Sequence, residues 1–194
     1  MKKSFWLICG ILALFLSLIF DDFIVKLIAA NRLILLDSVI GYFSRLTNGV
    51  FSFVIIGLVL FYYKREQIYR FIIGFGVVGA IAYLLKILIK RARPFDSLDV
   101  ANLVPVDSAY SFPSGHAIFA FFCLGFIWKD FKWFRYFWLV IVALIALARL
   151  YTGVHYMSDL IASLLIGLIL GDIFSRTNIF KSLRTFKLDD RGAK

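Results

Sequence analysis

The chain has 194 residues, 62% of them hydrophobic and only 18% charged, and its mean hydropathy is +0.89. A water-soluble domain carries about 45–50% apolar and about 25% charged residues, so this chain holds more apolar surface than a soluble core can hide. Disordered, collagenous and disulfide-scaffold classes are excluded by the same composition. The net charge of +10 is read as the basic inner loops of a membrane protein, not as a nucleic-acid footprint.

The first apolar run, 4–20, follows Lys2 and Lys3, as a signal peptide would. Phe20-Asp21-Asp22 offers no small-residue cleavage site, so the run is read as an uncleaved anchor. Segment 23–46 is apolar but carries Lys26, Asn31, Asp37, Ser38 and Arg45. These five fall within an arc of about 140° on a helical wheel, which predicts an amphipathic helix on the outer membrane surface. An extramembrane connector packed on the bundle is the alternative.

Five further apolar runs follow, at 47–63, 68–89, 114–128, 133–148 and 154–174. Several are shorter than the roughly 20 residues of a spanning helix. All three prolines, Pro94, Pro105 and Pro113, fall between Arg93 and Pro113, which marks that stretch as the one long irregular loop. The tail, 175–194, is polar and basic and is placed at the inner headgroups.

With the N-terminus inside, 14 of the 22 Lys and Arg residues fall on the inner side and every short inner loop is basic. Both termini are then cytoplasmic, which requires an even number of spans. The expected fold is all-α and integral to the membrane, with six transmembrane helices plus the outer-surface amphipathic helix, in one domain covering 1–194. Cys9 and Cys123 both lie inside apolar runs and are read as small hydrophobic side chains.

Three polar segments stand at the outer span ends of this layout. In Lys86-Ile-Leu-Ile-Lys-Arg-Ala-Arg93-Pro94, Lys86 and Arg93 are two helical turns apart and can share a face. In Ser111-Phe-Pro-Ser114-Gly115-His116 an apolar helix begins. Its free N–H groups suit a phosphate, and Gly115 lets an anion come close to the backbone. In Arg149-Leu-Tyr-Thr-Gly-Val-His155-Tyr-Met-Ser-Asp159 the carboxylate stands one turn from the imidazole. These segments hold the chain's only two histidines. Cations and helix amides can stabilise phosphoryl oxygens, while one histidine attacks phosphorus and the other protonates the leaving oxygen.

K-x6-R-P, P-S-G-H and R-x5-H-x3-D, in this order, resemble the motifs of the type 2 phosphatidic acid phosphatase family, membrane lipid phosphatases with soluble vanadium-haloperoxidase relatives. The motif region is 86–159. The resemblance implies that His155 is the nucleophile, Asp159 its partner and His116 the general acid. It implies phosphate binding by Lys86, Arg93, Ser114, Gly115 and Arg149, with no metal and no cofactor. One position departs from the pattern, because Ala148 stands where the third motif usually opens with serine.

Other polar residues are given quieter readings. Lys90 and Arg91 lie outside the motif and are read as a solvated helix end or as attraction for an anionic headgroup. Asp96, Asp99 and Asp107 are read as loop solvation and not as metal ligands. Tyr110, Tyr151 and Tyr156 are assigned to the outer aromatic belt, Tyr151 with a place bordering the site.

The implied function is removal of a terminal phosphate from a lipid at the outer face of a bacterial cytoplasmic membrane. Undecaprenyl diphosphate is the first substrate expected, with phosphatidylglycerophosphate, phosphatidic acid and lipid A phosphate as alternatives. The expected partners are the lipid phosphate and membrane lipids, not nucleic acid. An anion or lipid transporter is the non-enzyme alternative, since charges within membranes mark pathways.

Overall fold

A computed structural model describes residues 2–106 and 108–176, with side chains from Phe5 onward. Asp107 and all but the first two residues of the expected tail at 175–194 lie outside the described residues. Within them every regular element is a helix, with no strand. The order is α1 (Lys2–Ala30), α2 (Ile34–Leu46), α3 (Gly49–Tyr63), α4 (Ile68–Ile89), α5 (Pro94–Ser97), α6 (Gly115–Ile127), α7 (Lys132–Tyr151) and α8 (Met157–Arg176). A 3₁₀ turn over Arg65–Gln67 leads into α4.

Helix α1 is longer than the apolar run that announced it. It continues through Asp21 and Asp22, so residues 23–30 belong to α1 and not to a surface helix. Asp21 is tolerated there because it is buried against an arginine and a serine from other elements. The amphipathic segment is therefore only α2, with Asp37 in its first turn and Arg45 in its last. The irregular loop also begins differently from the expectation, because Pro94 opens the single turn α5 at a position where its missing N–H costs nothing.

Four helices, α1, α4, α7 and α8, are long and apolar enough to cross a membrane. Helices α2 and α3 pass that test only as a pair and bend by 58° at their junction, where the Asn48 side chain caps α3. Helix α6 has 13 residues, about 20 Å at 1.5 Å per residue against a hydrocarbon core of about 30 Å. Large apolar side chains on the outer faces, such as Phe15, Ile19, Leu58, Leu84 and Leu147, are exposed, as a lipid-facing surface requires.

Helix α6 is apolar on all sides because it is the central element. Ala117, Ile118, Ala120, Phe122, Cys123, Leu124, Phe126 and Ile127 are all buried. The Trp138 indole of α7 donates to the Ala120 carbonyl at 3.0 Å, satisfying a polar group inside the core. Helix α8 lies directly on α6 through glycine. A Cβ at Gly125 would overlap the backbone of Gly171, and one at Gly171 would overlap the Phe122 carbonyl. Both cysteines are free, Cys123 buried and Cys9 half-buried. This packing seats the N-terminus of α6 beside the N-terminus of α8, and the motif residues gather there.

Candidate active site

Lys86, Arg93, Gly115, His116, Arg149 and His155 line one cavity of about 320 Å³, together with Arg45, Asn48 and Ser108. Four cationic side chains thus face the same small space. Among the described residues, no carboxylate lines it.

Each motif cation is held by an acceptor. Lys86, in the last turn of α4, donates from Nζ to the Tyr110 carbonyl at 2.8 Å. Arg93 is buried, and donates from Nε to the Ser108 carbonyl and from Nη1 to the Val154 carbonyl, both at 2.8 Å. Arg149, in the last turn of α7, donates from Nη1 to Ser44 Oγ of α2 at 2.8 Å. These bonds fix the positions of three positive charges that line the cavity.

Helix α6 supplies its N-terminus. The first bond of the helix runs from the Ile118 amide to the Ser114 carbonyl, so the Gly115, His116 and Ala117 amides have no carbonyl behind them. A Cβ at Gly115 would meet nothing within 4 Å, which leaves the backbone open to the cavity. Ser114 is fully buried and its Oγ has no hydrogen-bond partner. Its amide donates to Ser163 Oγ of α8 at 3.0 Å, and Ser163 Oγ in turn lies 2.6 Å from the Asp159 carbonyl. One serine therefore sets the register between the two helix N-termini.

His155 stands in the short link between α7 and α8. That link turns at Gly153, whose φ of 76° lies in the left-handed region, and a Cβ there would come within 2.9 Å of the Ala101 carbonyl. His155 Nδ1 is 3.3 Å from Asp159 Oδ2, and both side chains are buried. The same oxygen accepts the Tyr156 amide at 3.0 Å. With Nδ1–H directed at the carboxylate, Nε2 keeps its lone pair. Burial, reinforced by Arg149, Arg93 and Lys86, pushes the His155 pKa well below the ordinary histidine range, so the ring is neutral at neutral pH. A neutral imidazole with an oriented lone pair is a nucleophile.

Several residues of this site gave no signal in the sequence. Arg91, read there as a solvated helix end or as attraction for an anionic headgroup, instead donates from Nη1 to Asp159 Oδ1 at 2.7 Å and to Ser158 Oγ at 2.6 Å, and from Nη2 to Asp21 Oδ2 at 2.7 Å. Lys90, by contrast, is exposed, in the left-handed conformation that ends α4. Tyr156 is buried beneath Arg91, whose guanidinium carbon is 4.0 Å from the ring centroid, so it is not a belt residue. Tyr151 donates to Asp37 Oδ1 at 2.7 Å, fastening α7 to α2. Ala148 is buried, one residue before Arg149. Arg45 is one of the polar residues of segment 23–46 that look like a membrane-surface face, whereas Ser44 of that segment and Asn48 of the following apolar run gave no signal. Among the described residues, no group of three or more His, Cys, Asp or Glu side chains is arranged to hold a metal ion.

Residues 67–179 match the family described as the PAP2 superfamily. The undecaprenyl-diphosphatase of Sulfolobus acidocaldarius is 26% identical over 179 residues, covering 86% of this chain and 87% of that protein. Phosphatidylglycerophosphatase B of Bacillus subtilis is 33% identical over 129 residues, covering 60% of this chain and 61% of that one. The crystal structure of a transmembrane PAP2-type phosphatidylglycerolphosphate phosphatase from Bacillus subtilis superposes with a TM-score of 0.71 at 26% identity. That likeness covers 100% of this chain and 98% of the other.

Proposed function

Because the chain belongs to the PAP2 superfamily, we propose that it removes the terminal phosphate of undecaprenyl diphosphate, or of a related lipid phosphate, through a phosphohistidine at His155. One observation carries this reading: two histidines and three anchored cations share a cavity of about 320 Å³, and a buried carboxylate backs one of the histidines. The names of the relatives support a hydrolase acting on lipid phosphates. A diphosphate is favoured by Arg45, a fourth cation on the same cavity beyond the three of the motifs. Phosphatidylglycerophosphate is the second reading, favoured by the likeness over the whole chain to a phosphatase of that lipid.

In the proposed reaction the phosphoryl oxygens are held by Lys86, Arg93, Arg149, the Ser114 hydroxyl and the first amides of α6. The Nε2 lone pair of His155 forms the N–P bond as the bond from phosphorus to the lipid-side oxygen breaks. His116 gives its proton to that oxygen. Asp159 holds Nδ1–H throughout and stabilises the positive charge that develops on the ring. Water then attacks phosphorus, His116 takes a proton from it, and the N–P electrons return to Nε2 as inorganic phosphate leaves. No step calls for a metal or cofactor. The proposed setting is a cytoplasmic membrane crossed six times, α2–α3 and the short α6 each counting as one span, with the site on the outer side.

The test is phosphate release by the purified chain, in detergent with chelator, from undecaprenyl diphosphate, phosphatidylglycerophosphate and phosphatidic acid. His155→Ala runs beside it. Release that the variant abolishes supports the mechanism, and the order of rates ranks the substrates. Equal release by His155→Ala overturns it.

A further inference from the structure

We propose that Arg91 is a positioning residue that holds the Asp159 carboxylate against His155, and that Asp21 of α1 holds Arg91 in turn. The inference rests on the reading of His155 and Asp159 as nucleophile and partner. It adds a second layer to the site, one that begins outside the segment matched to the family.

The geometry is that of a planar fork between two acids. One guanidinium nitrogen of Arg91 meets Asp159 Oδ1 and the other meets Asp21 Oδ2, each at 2.7 Å. Asp21 is bound twice more by α8, since its Oδ1 accepts the Ser158 amide at 3.0 Å and its Oδ2 accepts the Ser158 hydroxyl. The guanidinium carbon sits 4.0 Å from the centroid of the buried Tyr156 ring. Both ends of the guanidinium and the carboxylates it joins are thereby held.

The arrangement bears on His155 directly. Asp159 is fully buried, and its Oδ2 already serves the Tyr156 amide and His155 Nδ1. The 3.3 Å separation between that nitrogen and oxygen is long for a charge-assisted bond, so a small rotation of the carboxylate would end it. Arg91 at Oδ1 opposes that rotation. Asp21 in turn ties Arg91 back toward α1, away from the phosphate cavity, whose lining does not include it. Arg91 therefore acts behind the imidazole and not on the substrate. The ordinary alternative is that the ion pairs merely fasten α1 to α8. The two readings diverge in kinetics, because only a positioning residue acts through Asp159.

The experiment measures kcat and KM for Arg91→Gln, Arg91→Lys, Asp21→Asn, Asp159→Asn and the double variant Arg91→Gln/Asp159→Asn. The full chain is used in one detergent, with undecaprenyl diphosphate and with short-chain phosphatidic acid. We expect kcat to fall by about tenfold or more in Arg91→Gln, in Arg91→Lys (which keeps the charge but not the fork) and in Asp21→Asn, with KM held within about twofold. On Asp159→Asn, Arg91→Gln should cost nothing further, because the group it positions is already lost.

Wild-type turnover in Arg91→Gln, or the same fractional loss with and without Asp159, would overturn the proposal. If Arg91→Gln does not fold, Asp21→Asn decides the matter, and unchanged kcat there counts against it. Wild-type turnover in Asp159→Asn would instead remove the histidine–aspartate mechanism itself. The two failures are therefore distinguishable.

Discussion

Arg149, in the last turn of α7, reaches across to α2 and donates to Ser44 Oγ at 2.8 Å. Ser44 is fully buried, and it lies ahead of the segment that matches the family. The arginine proposed to bind phosphate is thus aimed by a hydroxyl from an element that carries no motif. Such a bond to a charged group contributes about 1.5–3 kcal/mol.

Ser44→Ala should consequently lower kcat/KM by about tenfold while leaving the fold intact, since the change removes one oxygen and adds no bulk. Arg149→Lys should cost more, because a point charge cannot replace a planar fork at a phosphate. Steady-state kinetics on one lipid substrate compares them. Wild-type kinetics for Ser44→Ala would show that Arg149 is placed without it.

The residues that gather at the cavity were legible because each pair is close in sequence: Lys86 with Arg93, Gly115 with His116, and His155 with Asp159. The shared helix face expected for Lys86 and Arg93 is not found, because α4 ends at Ile89 and Arg93 lies beyond its left-handed cap at Lys90. What could not be read was pairing across long separations. Arg91 meets Asp21 and Asp159 about seventy residues away in either direction, and no local pattern encodes such a contact. Segment 23–46 misled for a related reason. Its polar arc fits a surface helix, but Ser44 and Arg45 turn toward the site, and the chain breaks near Asn31 instead of at the acid pair. The length of α1 followed from a buried partner for Asp21, which hydropathy cannot show.

The His155 ring, buried and flanked by Arg149, Arg93 and Lys86, should stay neutral as the pH falls through the ordinary histidine value of about 6.5. With two histidines in the chain, ¹⁵N-histidine NMR in micelles resolves it, using His116→Gln to assign the signals. No titration of His155 between about pH 5.5 and 8 is expected. Arg149→Gln, by removing the leading charge, should move its protonation toward higher pH. A wild-type His155 midpoint near 6.5 would contradict the electrostatic account.

Gly171→Val tests the seam that brings the two helix N-termini together. A side chain there has no room against the Phe122 carbonyl. Helices α6 and α8 would have to separate, at a cost of about 1–3 kcal/mol or more. Thermal unfolding in detergent should show a clear loss of stability. Activity should fall with it, since the Ser114–Ser163 link spans the same seam. An unchanged unfolding temperature would mean that the helices can part without penalty.

Asp99 is exposed in the loop after α5, on the same side as the site. In a Cys9→Ser background, Asp99→Cys in intact cells should react with a thiol reagent that cannot cross the membrane. Reaction only after the membrane is opened would place the site on the inner side and reverse the orientation argued from the basic loops.

Arg45 offers a test between the proposed lipid classes. It lines the candidate cavity and also the neighbouring one, formed with Asp37, Ser38, Gly41, Tyr42 and Leu103, which is where the proposed reading puts the second phosphate of a diphosphate. A monophosphate carries at most two negative charges, which the three motif cations already meet, whereas a diphosphate brings a third. Arg45→Ala should reduce kcat/KM for undecaprenyl diphosphate by about tenfold. It should change that for phosphatidic acid by no more than about twofold. An equal loss on both substrates would make Arg45 a general attractor of anions, and the preference for a diphosphate would lose its structural support.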